Sequence, residues 1–436
     1  MAFDAPARPV GGGRGKGPWA GSADCATVEG MDGWSDPDFV EVAAAFAQQV
    51  ERTDGGAALV VYHRGEPVVD LWGGNRTADG DPWEDDTLAM CFSTTKGVAS
   101  FALHLQAEKG LVDYDEPVAT YWPEFAQNGK EGVTVRHVLS HSAGLHRLRS
   151  VIDGAHHMLD WDHMVEALAA EAPAYEPGTK SGYHALTYGW LVGEIVHRVT
   201  GKPLSEVVID EIATPLELDG LYLGCPPDQR HRVSPLEHMG SVRDRLPRPV
   251  RAVEKRIGTQ MGRALSAVRS PVNPRRMINA LVPRGMEDVI TSPEIMDASI
   301  PAANGFFTAR SLARMYAVMA GGGALGDVRM LSSERVEEIG TQQSNRRDLV
   351  LVMSMRWRLG YHRVIGTRGD CKEGFGHFGF GGSGAWADPS RDLSVAMVCN
   401  RGSGTPVGDA RLVRLSRAAL EAADHRPLLT PAVKTA

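Results

Sequence analysis

The chain is poor in cysteine, has no long apolar run and carries no excess of positive charge. Its 436 residues include five cysteines, at positions 25, 91, 225, 371 and 399. They are odd in number, widely spread and never spaced C-x-x-C, which argues against a disulfide framework and against a cysteine-built zinc site. No apolar stretch approaches the roughly 18 residues that a membrane span needs. Lys and Arg number 46 against 54 Asp and Glu, a formal charge of −8, so an electrostatic nucleic-acid binder is not expected. The opening MAFDAPARPVGGGRGKG has no apolar signal core, and the expectation is a reduced, cytoplasmic protein. What remains is ordinary globular composition, 43% apolar and 23% charged, which excludes wholesale disorder and fibrous repeats.

Several motifs are missing as well. There is no G-x-S-x-G, which removes the nucleophile elbow of the α/β-hydrolases. His156, His157 and His163, with Asp160 and Asp162 between them, match no H-E-x-x-H or related spacing; they read as surface residues, and no metal is expected. The GGGRGKG run has Val10 where a phosphate loop needs its first glycine, and Gly17 where it needs Ser or Thr. G-x-G-x-x-G occurs twice, at 374/376/379 and 379/381/384, but neither copy leads into a helix, so dinucleotide binding is disfavoured.

The organisation is legible in outline. Residues 1–30 are rich in Gly, Ala and Pro and read as a flexible arm, with order beginning near Ser35. Residues 39–52 place Phe39, Val42, Ala43, Phe46 and Val50 on one helical face, and 57–63 with 68–72 read as a hairpin. The centre carries short helical patterns at 133–140, 158–171 and 188–200. A basic stretch at 241–256 reads as a solvated surface, with an entrance for anionic substrates as the alternative. Beyond 300 come a helix at 308–319, strands at 349–359, 377–380, 384–388 and 393–399, and a closing helix at 408–422. The resulting expectation is an α/β domain assembled from 31–114 and 300–425, a helical domain at 115–299, and a tail from 426 to 436.

Three clusters could carry chemistry. Ser93-Thr94-Thr95-Lys96 opens a helix, where residues three apart share a face and the first turn favours developing negative charge. A neighbouring lysine whose charge is disfavoured can take the serine proton; by spacing alone, a serine cap beside a surface lysine fits too. Glu176–Ala185 sets a Pro-Gly turn before Tyr183, which is either a proton relay beside a lysine or a packed aromatic. Gly376–Gly384 is a glycine-rich edge that lets backbone N–H groups approach an oxyanion.

In this order and spacing the three clusters resemble the serine β-lactamase and penicillin-binding-protein superfamily, in its class C-like branch, and most of all the family VIII carboxylesterases. LWGG at 71–74, LSHSAGL at 139–145, YHALTYGWLVGEIVHRVTG at 183–201 and ANGFFTARSLARMYA at 303–317 are similar too, and the likeness spans about 39–425. The resemblance implies a mixed α/β (α+β) fold, an antiparallel sheet flanked by helices with an inserted all-helical domain and the active site between the two. It implies Ser93 as acylated nucleophile, Lys96 as its proton partner, Tyr183 as general base with Lys96 and then proton shuttle, and the N–H groups of Ser93 and Phe380 as oxyanion hole. His377, Gly379 and His184 would contact substrate, and no cofactor is implied.

Two departures turn the reading from lactam to ester. The family's Tyr-x-Asn is Tyr183-His184-Ala185 and its Lys-Thr-Gly is His377-Phe378-Gly379, so an amide and a fixed positive charge suited to a lactam are absent. The expected activity is hydrolysis of small carboxylic esters through an acyl-enzyme, the partner being a small-molecule ester. A weak β-lactamase or D-aminopeptidase, an acyltransferase and a non-catalytic ligand-binding relative are the alternatives.

Overall fold

Two apolar runs from opposite ends of the chain, 56–63 and 393–399, pair antiparallel in the middle of one sheet, with Val61 opposite Val395 and Leu59 opposite Met397. The computed structural model describes residues 28–53, 55–236, 274–364, 371–401 and 410–426. Its main sheet contains β1 (Asp32–Ser35), β2 (Gly56–His63), β3 (Glu66–Gly74), β4 (His362–Arg363), β5 (Phe375–Phe378), β6 (Gly384–Asp388) and β7 (Leu393–Cys399). These seven strands lie in the order β1-β3-β2-β7-β6-β5-β4, antiparallel throughout.

The period-two geometry of a strand explains why β2 reads as an unbroken apolar run. Leu59 and Val61 point to one face, where α1 (Val40–Glu51) and the C-terminal helix Ala410–His425 supply Phe46, Leu412 and Leu415. Ala58, Val60 and Tyr62 point to the other, where Ala309–Ala320 supplies Leu312, Met315 and Tyr316. With helices on both faces neither can afford a polar residue, and each buried Val or Leu contributes about 1.5–3 kcal/mol. The face of α1 expected to be apolar is the buried one.

The helix that bears Lys96, α2 (Thr95–Glu108), packs against α3 (Thr187–Thr200), which ends on Gly201 in the left-handed region. A second sheet of four short strands joins Leu88–Met90 to Leu221–Leu223, Val233–Ser234 and Gly305–Phe307. Two of those strands fall inside 115–299, where the other regular elements among the described residues are helices. They are two and three residues long, too short to show a period in sequence.

Three expectations need correction. A strand at Asp32–Ser35 precedes the expected start of order. The strand at 377–380 runs instead from Phe375 to Phe378, where Gly379 and a 3-10 turn at Phe380–Gly382 end it. The stretch 349–359 is not a strand at all: Asp348 accepts from the N–H groups of Val350 and Leu351, and Val352 and Arg356 take φ of 65° and 50°. Its alternating apolar pattern is overridden by that turn. The arm, the GGGRGKG run and the basic stretch at 241–256 lie outside the described residues. Among the described residues no helix is long and apolar enough to cross a membrane.

Candidate active site

The nucleophile segment is pinned before it starts. Leu88–Met90 is held on both sides by the small sheet, and the Cys91 N–H donates to Gly305 O at 2.8 Å. Phe92 then adopts φ 45°, rare for an aromatic, and a 3-10 turn at Phe92–Thr94 delivers Ser93 to the start of α2. Its ring meets that of Phe380 edge-on at 5.5 Å, so the nucleophile turn and the glycine-rich turn lie side by side. A Cβ on Gly379 would sit 2.4 Å from Cys91 O and 2.9 Å from Thr94 Oγ1. Gly379 therefore makes room for the nucleophile's backbone, a packing role that needs no contact with substrate.

Three expected residues converge. Lys96 Nζ lies 2.9 Å from Ser93 Oγ and 2.9 Å from the carbonyl of Ala302. Tyr183 donates its hydroxyl to Ser93 Oγ at 2.8 Å, and Lys96 Nζ sits 5.1 Å from the centre of the Tyr183 ring. Ser93 is partly open while Lys96 and Tyr183 are buried. Lys96 has no carboxylate partner among the described residues, and burial holds it well below the ordinary lysine range. Burial pushes the Tyr183 phenol upward, partly offset by its bond to Ser93 and reinforced by the nearby Asp348. Burial thus favours the amine form of Lys96 beside a protonated phenol. Ser93 can then donate its own proton to the Lys96 lone pair while Lys96 donates to Ala302.

Histidines fill the surroundings, and their hydrogen bonds fix their tautomers. The Phe378 N–H donates to His362 Nε2 at 3.1 Å, so His362 carries its proton on Nδ1 and donates to Arg363 O. His377 Nδ1 faces Phe378 O at 3.2 Å, which leaves a lone pair on Nε2 with no partner among the described residues. Its ring stacks 6.3 Å from that of Tyr183. His184 Nε2 accepts from Leu145 N–H, and its Nδ1 lies 3.3 Å from His141 Nδ1. Both His184 nitrogens are thus engaged with protein, and the side chain braces His141, whose ring lies 5.0 Å from that of Tyr183. Burial lowers the pKa of His141, His184, His362 and His377 alike, so the pocket wall is uncharged at neutral pH.

Sequence reasoning missed His141, although it lies in the LSHSAGL segment, and it missed Asp348 and Trp357, for which no local signal existed. Away from this site, Asp153, His156 and His157 bring one ligand atom each to within 4.8 Å of one another on the surface.

Fold and site together define a protein of the β-lactamase/transpeptidase-like class. The sequence profile of the family described as Beta-lactamase matches residues 42–419, and the chain belongs to that family, which places it at family level among the serine hydrolases. Esterase/beta-lactamase LipL of Mycobacterium tuberculosis is 41% identical over 376 residues, 85% of this chain and 82% of that protein. The crystal structure of a family VIII carboxylesterase superposes with a TM-score of 0.78 at 34% identity, covering 90% of this chain and 99% of the other. A penicillin-binding-protein homologue from Caulobacter crescentus gives 0.77 at 34% identity over the same shares.

Proposed function

We propose that the protein is a carboxylesterase that hydrolyses small esters through an acyl-enzyme on Ser93. One observation carries the reading: Ser93 Oγ stands between a buried amine and a buried phenol, within hydrogen-bond reach of both. Lys96 takes the Ser93 proton as Oγ attacks the ester carbonyl, and the backbone N–H groups of Ser93 and Phe380 hold the oxyanion. Collapse expels the alkoxide, which is protonated through Tyr183, itself reprotonated from Lys96. Water then attacks the acyl-enzyme, gives its proton to Lys96, and the carboxylic acid leaves with Ser93 restored.

The choice of ester over lactam rests on charge. The position where the resembled family carries lysine holds His377, neutral at this burial, and the neighbouring histidines add no cation. A neutral wall suits a neutral ester better than an anionic lactam, and the name of the 41% identical relative includes the esterase activity. The test is turnover of p-nitrophenyl butyrate by wild type and Ser93→Ala, with a chromogenic cephalosporin alongside. Ester turnover that disappears in the variant, with little cephalosporin turnover, is expected; faster cephalosporin turnover than ester turnover overturns the assignment.

A further inference from the structure

Asp348 is buried beside the site, and its two oxygens have five donors between them. Oδ1 accepts from the backbone N–H groups of Tyr183 at 3.2 Å, Val350 at 2.8 Å and Leu351 at 3.0 Å. Oδ2 accepts from Ser181 Oγ at 3.1 Å and the Trp357 indole at 3.3 Å. The bonds to Val350 and Leu351 are local turn closure, of the kind any Asp can make. The other three reach beyond the turn, to Ser181 and Tyr183 more than 160 residues away and to Trp357 nine residues on, and all bear on Tyr183. Leu349 N–H adds a backbone bond to Ser181 O at 2.9 Å, so the turn is laced to the strand-like segment that delivers Tyr183.

The indole that Asp348 holds lies nearly parallel to the Tyr183 ring, at 5.6 Å and 10°. His141 closes against both, 4.2 Å from Trp357 and 5.0 Å from Tyr183. Tyr183 is thereby gripped at its backbone by Asp348 directly and at its ring by Trp357, whose orientation Asp348 sets. A phenol that must relay a proton to an atom 2.8 Å away tolerates little displacement, because a misplacement of about 1 Å costs on the order of 10²-fold in rate. A carboxylate suits the place, since it offers acceptors only and every neighbour is a donor.

We infer that Asp348 is a positioning residue for the reaction, acting through Tyr183 by fixing its backbone and its stacking partner. This rests on the role given to Tyr183 above. Asp348→Asn puts a donor where one oxygen accepted, and Trp357 Nε1 is the group that an amide nitrogen cannot satisfy.

The test is a double-mutant cycle on the full chain with p-nitrophenyl butyrate, using wild type, Asp348→Asn, Tyr183→Phe and the double variant. Expected for Asp348→Asn is a kcat loss of about 10–10²-fold with KM within about threefold, shrinking to about twofold or less in the Tyr183→Phe background. A loss of equal size in both backgrounds shows a general structural role and overturns the inference, as does a wild-type rate in Asp348→Asn. Should Asp348→Asn not fold by circular dichroism, Trp357→Phe puts the same question, keeping the stack and removing the indole donor. A severalfold kcat loss that vanishes with Tyr183→Phe supports the inference; a loss that persists, or none, overturns it. Failure of the underlying reading looks different: Tyr183→Phe itself then turns over like wild type, or wild-type turnover does not depend on Ser93.

Discussion

Lys96 Nζ reaches Ser93 Oγ one helical turn away at 2.9 Å, and its second contact is not an acid but the carbonyl of Ala302. A buried ammonium without a counter-charge is costly, and burial shifts the group toward the amine. Function and stability then pull apart. Lys96→Met should lose about 10³-fold or more in kcat, because among the described residues no other amine or imidazole is hydrogen-bonded to Ser93 Oγ. It should not lose stability at neutral pH, and should gain some. The unfolded chain binds a proton at Lys96 that the folded chain does not, so folding is penalised below the unfolded pKa and the penalty fades as pH rises toward the ordinary lysine value. Melting temperatures of wild type and Lys96→Met should therefore differ most near neutrality and converge at alkaline pH. A variant less stable than wild type at pH 7 contradicts the uncharged assignment.

Tyr183→Phe removes one hydroxyl and keeps the ring on Trp357. The lost group donates to Ser93 Oγ at 2.8 Å and is the only phenol that does so among the described residues. Turnover should fall by about 10²–10⁴-fold, the range for a positioned proton donor, with the melting temperature little changed. Steady-state kinetics with p-nitrophenyl butyrate checks this. A rate within about threefold of wild type would move the relay to another group.

What the sequence disclosed and what it withheld divide along range. Ser93 and Lys96 are three residues apart on a helix, and that proximity is local, so spacing alone suggested it. β6 and β7 begin and end where the turn residues and apolar runs put them. Tyr183 is 90 residues from Ser93, and only the resemblance to a known family joined them. Asp348 was hidden in a different way. The stretch after it alternates like a strand, and its role arises from contacts with Ser181 and Tyr183 about 165 residues away, for which a single aspartate carries no signature. The histidine wall, His141, His184, His362 and His377, is assembled from four separate segments, each unremarkable alone.

Gly379 tests whether the glycine-rich turn is set by backbone approach. A methyl there would lie 2.4 Å from Cys91 O, a distance that forces the turn away from the nucleophile and carries the Phe380 N–H with it. Gly379→Ala should cost about 10²-fold in kcat, comparable to removing one oxyanion donor, and about 1–3 kcal/mol of stability through overpacking. Gly132→Ala is the control, since nothing lies within 4 Å of a Cβ built there. Denaturant melts and initial rates on both variants decide it. If Gly379→Ala behaves like Gly132→Ala, the close approach has no consequence for catalysis.

The neutral histidines make the protein acid-sensitive in a defined window. Burial lowers the pKa of His362 to about 4 and of His104 to about 3, and it lowers those of His141, His184 and His377 too. Each binds fewer protons folded than unfolded below its ordinary value of 6.5, so stability rises with pH across this range and is lost as pH falls through it. A single histidine shifted as far as His362 corresponds to about 3 kcal/mol once both states are protonated, and several act together. Midpoints of urea unfolding should be flat from pH 8 to 7 and fall steeply between about 6.5 and 4, with a slope exceeding one proton. His104→Phe keeps ring volume and removes one titrating site, so its curve should fall less steeply, although the lost bonds to Tyr114 and Leu359 lower it throughout. Equal slopes in wild type and variant would assign the acid sensitivity to carboxylates, and the imidazoles would then have no part in it.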